Sequence, residues 1–266
     1  MDIAVLDRSA VSGRSHLHDA SPRTKLLAFA LVLASIVVSS NLFIVVALAL
    51  ALLAVITAER LPARQMLPLA AYPAIFAAVF AIASAPDALA AALIIAKAVT
   101  AALGAVTLMF TTPYPQVFAV AQRVTPALVG DALLMTYRAI FILAEKFADL
   151  TRAVRLRAGI SGTHPIRSAQ ATTRALGGLL LYSVDLAQRE YDVLVLRGYS
   201  GRLKVAERPS RSPRTDQSLI AGSLAALAVA IVWRVYWASV INYSWIPLAA
   251  ALLGLFAALL FRGRNR

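Results

Sequence analysis

The residues with most to offer chemically are two arginines, one lysine and a pair of histidines. The arginines sit in a phrase that occurs twice, Leu156-Arg157-Ala158-Gly159-Ile160-Ser161-Gly162 and Leu196-Arg197-Gly198-Tyr199-Ser200-Gly201. Each copy closes a long amphipathic pattern, so each falls at a helix end. Arginine in a last turn favours the negative end of the helix dipole, and glycine is the usual stop. That explains Arg followed by Gly once. It explains neither the repeated Leu before nor the repeated Ser-Gly after, whereas two equivalent recognition points explain all of it. A planar guanidinium suits bidentate pairing with a carboxylate on a partner. Ala158 is an extra residue in the first copy, so Arg155 is a second candidate there.

Lys97 lies well inside an apolar run. An intramembrane charge is functional by default, with snorkelling or assembly as the competing role. No acidic residue lies within any apolar block to pair with it, and both roles stay open at this point. His16-Leu17-His18 beside Asp19 has donors that suit Co²⁺ or Ni²⁺. Two imidazoles and one carboxylate make an incomplete site, and a structural role is the simpler reading. Cysteine is absent, which excludes disulfides and thiolate metal centres. No Gly-x-x-x-x-Gly-Lys-Ser/Thr loop, Gly-x-Ser-x-Gly or His-Glu-x-x-His occurs, and the acidic residues are too scattered for a Mg²⁺-dependent transferase. The chain reads as non-enzymatic, with no cofactor or metal site, and any ATP is hydrolysed by another subunit.

The elements that position these residues are membrane helices. Of the 266 residues, 60% are hydrophobic and 15% charged, against roughly half and a quarter in soluble domains. The apolar residues gather in blocks at 26–58, 66–85, 88–111, 218–233 and 246–261. The first block is too long for one upright span. Ser39-Ser40-Asn41 divides it into about 24–39 and 42–58, with a single tilted helix as the alternative. Spans over about 67–84, 88–111, 218–237 and 246–261 bring the count to six. Pro68 and Pro73 kink the third or delay its start. The first 25 residues are charged and lack the apolar core of a cleaved signal.

With a cytoplasmic N-terminus, the connections at Ser39–Asn41, Pro86–Asp87 and Ser239–Ser244 face outward and carry no Lys or Arg. The remaining connections and both termini hold the basic residues behind the formal charge of +13, apart from Lys97 and Arg234, which lie within the expected spans. Between the fourth and fifth spans, residues 113–216 form a cytoplasmic insert. One amphipathic helix runs from Gly130-Asp131 towards Gly159 with an apolar stripe Leu133, Tyr137, Ile140, Ala144, Phe147, Val154. A second runs from about Ser168 to Leu196 with a stripe Leu176, Leu180, Val184, Ala187, Tyr191, Leu194. The expected organisation is 1–112, 113–216 and 217–266: four spans, a coupling domain and a final helix pair. The expected fold is all-α and polytopic.

At the two arginine phrases the chain resembles the T component of energy-coupling-factor (ECF) transporters. His18-Asp19-Ala20-Ser21-Pro22-Arg23-Thr24-Lys25, Thr111-Thr112-Pro113 and Tyr137-Arg138 with Glu145 follow the same family order, so the resemblance covers about 5–205. Leu6-Asp7-Arg8 with Ser15-His16-Leu17-His18 is most similar to the cobalt-transport Q subunit. The resemblance implies a membrane subunit coupling two ABC-type ATPases to a small substrate-binding membrane subunit, the S component. It implies import of Co²⁺ or Ni²⁺ across the inner (cytoplasmic) membrane. It also implies ATPase docking through Arg157 and Gly159, with Arg155 as the slipped alternative, and through Arg197 and Gly198. Ala158 stands where that family has Gly, so the first motif is the more divergent.

The competing reading is a self-contained secondary transporter or channel with Lys97 in its path. Such carriers have broken midplane helices with polar linings, whereas these spans are mostly Ala, Leu, Val and Ile. The insert is basic, with 15 Lys and Arg against 8 Asp and Glu. Its sparse aromatics and lack of a binding motif argue against nucleic acid. The expected partners are therefore the bilayer and protein subunits.

Overall fold

The computed structural model describes residues 15–156, 165–201, 203, 212–236 and 243–264. Among these, the ordered elements are all helical: α1 His16–Asp19, α2 Pro22–Val38, α3 Leu42–Ala58, α4 Ala63–Ser84, α5 Ala88–Thr111, α6 Tyr114–Ala121, α7 Ala127–Leu156, α8 Pro165–Leu196, α9 Pro213–Val235 and α10 Trp245–Arg264. Contacts divide the chain into two compact units, 1–117 with 207–266, and 118–206.

The first unit is the apolar one. Its long apolar segment is two helices and not one, because Ser39–Asn41 breaks it. Asn41 caps α3 by accepting from the Phe43 amide at 2.9 Å, and its own amide donates to Ser244 Oγ at 2.8 Å. At the start of α2, Ser21 accepts from the Thr24 amide and Pro22 occupies the first turn, where its missing N–H costs nothing. The helix α4 begins before both prolines and continues through Pro68 and Pro73. α2 packs on α9 and α5, α3 on α10 and α5, and α4 on α5.

A buried cluster of Ile56, Leu61, Met66, Ala70, Leu103, Val106 and Phe110 joins the end of α3, the start of α4 and the end of α5. The α3 terminus makes this cluster possible. The Leu61 amide donates back to the Ile56 carbonyl at 3.0 Å, with Arg60 in the left-handed region at φ 53°. The turn so closed leads Leu61 into the core. At the same end of the unit, Glu59 accepts from the Leu17 amide at 3.2 Å and Asp216 from the Ser21 amide at 2.8 Å.

Both lysines of this bundle donate to the C-terminal carbonyls of neighbouring helices. Lys25 in α2 is buried and reaches the Thr111 carbonyl that ends α5, at 3.0 Å. Lys97 in α5 reaches the Val37 carbonyl that ends α2, at 3.3 Å. The two helices therefore run antiparallel, each carrying a cation for the other's unsatisfied carbonyl end. A search for an acidic partner to Lys97 looks for the wrong acceptor.

The exposed surface of this unit is strongly apolar, with Tyr72, Ile75, Phe76, Val79, Phe80 and Ile82 on α4 all more than 60% exposed. An exposed apolar band of that size is what lipid or a membrane partner covers. By length and composition, α4, α5, α7 and α9 are each able to cross a membrane, and α3 and most of α10 are shorter apolar helices. The sequence pattern places α7 in the insert, yet its hydropathy also admits a span. Averaging hides what its polar residues do. Asp131 is buried in hydrogen bonds and Arg138 pairs with Glu190 of α8. Those bonds tie α7 to the second unit.

Candidate functional site

The second unit centres on α7 and α8, which form an antiparallel helical hairpin. Three pairs set its register. The Asp131 carboxylate accepts from the Tyr199 hydroxyl at 2.6 Å, Arg138 Nε lies 3.3 Å from Glu190 Oε1, and Lys146 Nζ lies 5.2 Å from the Tyr182 ring centre. The first partners advance along the chain as the second partners retreat, which defines an antiparallel pair. Side chains facing across it include Leu134, Met135 and Ile142 of α7 with Leu186, Val193 and Leu194 of α8, around a cavity of about 410 Å³.

The inward faces differ from the expected apolar stripes. On α7, Leu133, Ile140 and Phe147 are 37–49% exposed, and on α8, Leu176, Leu180, Val184 and Tyr191 are 43–69% exposed. These residues point away from the hairpin partner, while Leu194 of the second stripe lines the hairpin cavity and Tyr137 of the first packs on Phe118 and Phe141. Much of the inward side is the mixed polar and apolar row beside each stripe. Ion pairs and ring contacts fix the facing sides, and periodicity counts only hydrophobicity. Leu133, Ile140 and Phe147 of α7 and Leu176, Leu180, Val184 and Tyr191 of α8 form an exposed apolar surface.

The α8 end shows how the arginine phrase folds. Gly198 is left-handed at φ 79°, the Gly198 amide donates to the Val195 carbonyl, and the Tyr199 amide donates to the Leu194 carbonyl, both at 3.0 Å. This paired closure satisfies the last orphan carbonyls and needs a residue without Cβ at the left-handed position. Arg197 is thereby the cap residue. Its side chain is exposed and borders the hairpin cavity. Leu196 just before it is 87% exposed.

At the α7 end, Arg155 lies in the last turn and is exposed, and Leu156 is 89% exposed. Arg157 and Gly159 lie outside the described residues. The two ends are far apart. Tyr199 is held at Asp131, and Arg155 lies 24 residues along the same helix. At 1.5 Å per residue that separation is about 36 Å.

The remaining candidates fall elsewhere. Lys97 lies in the first unit with its ammonium on the Val37 carbonyl. His18 Nδ1 is 2.8 Å from Ser15 Oγ, and the side chain of His16 lies outside the described residues. No group of three or more His, Cys, Asp or Glu is assembled among the described residues. A cavity of about 290 Å³ in the first unit lies between α2, α3, α5 and α9. Its walls are mostly aliphatic, with Lys25, Thr107, Thr111, Ser218 and Ser223 as the polar residues and no carboxylate or imidazole. Sequence reasoning passed over one group of this second unit, the buried Asp131. Its only sequence signal is the Gly130-Asp131 pair near a helix start, which also reads as an ordinary cap.

The fold and these helix ends define an all-α, multi-pass membrane protein with a helical hairpin unit. A family profile described as CbiQ, cobalt transport protein, matches residues 13–207. The chain belongs to that family. It is also 34% identical over 108 residues to the cobalt transport protein CbiQ of Rhodobacter capsulatus. That alignment spans 40% of this chain and 41% of the relative, so about two-fifths of each is compared.

Proposed function

We propose that this chain is the transmembrane coupling subunit of an ATP-driven cobalt importer, with the α7–α8 hairpin receiving force from two ATPase subunits. Cobalt follows from the name that the family and the relative carry. The hairpin lies in the cytoplasm with both chain termini, in line with the Lys/Arg distribution. Its outward apolar stripes face the substrate-binding membrane subunit.

The observation that carries this reading is the repeated leucine. Leu156 and Leu196 are almost wholly exposed, each next to an arginine, at opposite ends of one helical hairpin. An exposed apolar side chain beside a guanidinium makes a compact docking point, since interface hot spots combine an apolar anchor with arginine. A separation of about 36 Å is too wide for one groove and fits two subunits side by side. Lys97 joins helices in this scheme and lies in no ion path. The aliphatic cavity of the first unit, where a cation would meet Lys25 and no carboxylate, favours coupling over a self-contained carrier.

Truncating one member of a buried charged pair costs about 2–5 kcal/mol, or roughly thirtyfold and upward in affinity. Two docking points mask a single loss through avidity. Arg157→Glu with Arg197→Glu is therefore expected to insert and fold normally, to lose ATPase co-purification and to abolish ATP-dependent cobalt uptake. Arg197→Glu is the more damaging single change, with Arg155→Glu as the register control. Full ATPase retention in the double variant would reduce the phrases to two helix ends. The orientation has its own check. Single cysteines at Ser40 and Asp87 are expected to label in intact cells, and one at Thr163 only after permeabilisation. Labelling of intact cells at Thr163 rules the orientation out.

A further inference from the structure

We infer that Asp131 is a positioning residue for Arg197, an α7 carboxylate that fixes the docking end of α8 through the Tyr199 hydroxyl. The inference rests on the docking role proposed above and adds a preorganising device to it.

Asp131 is only 2% exposed, and its two oxygens gather donors from three places. Gln122 Nε2 approaches Oδ1 at 2.5 Å, the Tyr199 hydroxyl donates to Oδ2 at 2.6 Å, and the Leu203 amide donates to both oxygens at 3.0 and 3.1 Å. Gln122 also donates to the Leu203 carbonyl at 3.1 Å. A buried carboxylate is tolerable when donors of this kind stabilise its charged form. Satisfied buried networks of this sort fix one geometry where apolar packing admits several. The preceding residue is shaped for the same purpose. A Cβ on Gly130 would lie 2.1 Å from Gln122 Cγ, so only glycine lets that side chain cross the backbone to reach Asp131.

The network converges on the arginine phrase. Tyr199 stands two residues beyond Arg197, and its amide already closes α8 onto Leu194. Its hydroxyl lies at the other end of the side chain, on Asp131. Arg197 is thus held between a closed helix terminus and an anchored tyrosine. Donation to Asp131 is also the main reason that the Tyr199 hydroxyl is held above its ordinary pKa. The first phrase has Ile160 where the second has Tyr199, and isoleucine has no donor for such an anchor. The two phrases therefore differ in sequence, and the α8 end carries an anchor that fixes it before its partner arrives. Ordering in advance removes part of the entropic cost of binding.

The test uses the full-length chain in detergent with the ABC-type ATPase subunits that co-purify with it. Tyr199→Phe keeps the ring and deletes the hydroxyl. Its thermal midpoint is expected to fall modestly with the lost bond to a buried carboxylate, and affinity for the ATPase subunits is expected to fall several-fold, up to about tenfold, as the ordering cost of docking returns. That loss is expected to vanish in an Arg197→Ala background and to persist in an Arg157→Ala background, since the latch acts only through Arg197. Asp131→Asn should follow the same pattern, and if it fails to fold, Tyr199→Phe alone decides. Parent-like affinity in Tyr199→Phe overturns the inference, as does an equal loss with and without Arg197. If Arg197→Ala itself leaves affinity unchanged, the docking role fails, and the latch with it.

Discussion

Lys25 and Lys97 in the bundle donate to backbone carbonyls, whereas Arg138 and Arg189 in the hairpin pair with carboxylates. The difference follows from what surrounds each pair of helices. Within an apolar bundle a carboxylate is costly, and the cheapest acceptor for a cation is a helix C-terminus whose last carbonyls lack partners. The hairpin has exposed polar faces, so ion pairs cost less there and specify register without burying both charges. One region is locked by charges against helix ends. The other is held by a few side-chain pairs and leaves apolar side chains of both helices exposed.

The comparison is broken most directly in the bundle. Lys25→Met retains the stem but leaves the Thr111 carbonyl without its cation, in a buried position. Loss of that charge-assisted bond costs about 2–3 kcal/mol. Lys97→Met acts on the same helix pair through a longer contact at a half-buried site, where about 1 kcal/mol is expected. Denaturation of the purified protein in detergent, with Lys25→Met clearly worse than Lys97→Met, is the expected result. Uptake by Lys97→Met at near parent rates would fit a helix-joining role. If Lys97→Met abolished uptake while leaving stability intact, the lysine would belong to the transport path instead.

These two lysines also mark how much of the molecule is legible in sequence. The six apolar helices, the division at Ser39–Asn41 and the helix stop at Gly198 follow from hydropathy, polar breaks and glycine chemistry. Lys97 stands out as a charge, but its acceptor does not, because a backbone carbonyl 60 residues away leaves no residue type to search for. The Asp131 network is hidden for a related reason. Gln122, Asp131, Tyr199 and Leu203 come together only when the hairpin closes, and Asp131 lies at helical spacing from none of its three partners. The hairpin faces were misjudged because periodicity ranks apolar residues alone. Tyr182 and Glu190 sit on the inward side beside Leu186, and a stripe that excludes Glu190 rotates the helix away from its partner. Hydropathy alone also admits α7 as a span, and it takes no account of the first-half charges that are engaged within the hairpin.

The smallest expected effects separate the two ion pairs of the hairpin. Arg138–Glu190 joins α7 to α8, with the arginine side chain 69% exposed and the glutamate 14%. Arg189–Asp185 lies within α8 at i,i+4, with both side chains largely in solvent, 72% and 49% exposed. The second pair is shorter, at 2.6 Å against 3.3 Å, yet distance is the poorer guide. Solvent screens Arg189–Asp185, and a pair of this kind contributes about 0.3–0.5 kcal/mol. Removing Arg138 deletes the cation that lies 3.3 Å from a mostly buried carboxylate, which raises the cost to about 1 kcal/mol. Arg138→Ala is therefore expected to lower stability about twice as much as Arg189→Ala, with the gap narrowing little in high salt because Glu190 is shielded from solvent. Equal effects, both erased by salt, would show that the hairpin register depends on apolar packing and the Asp131 network alone.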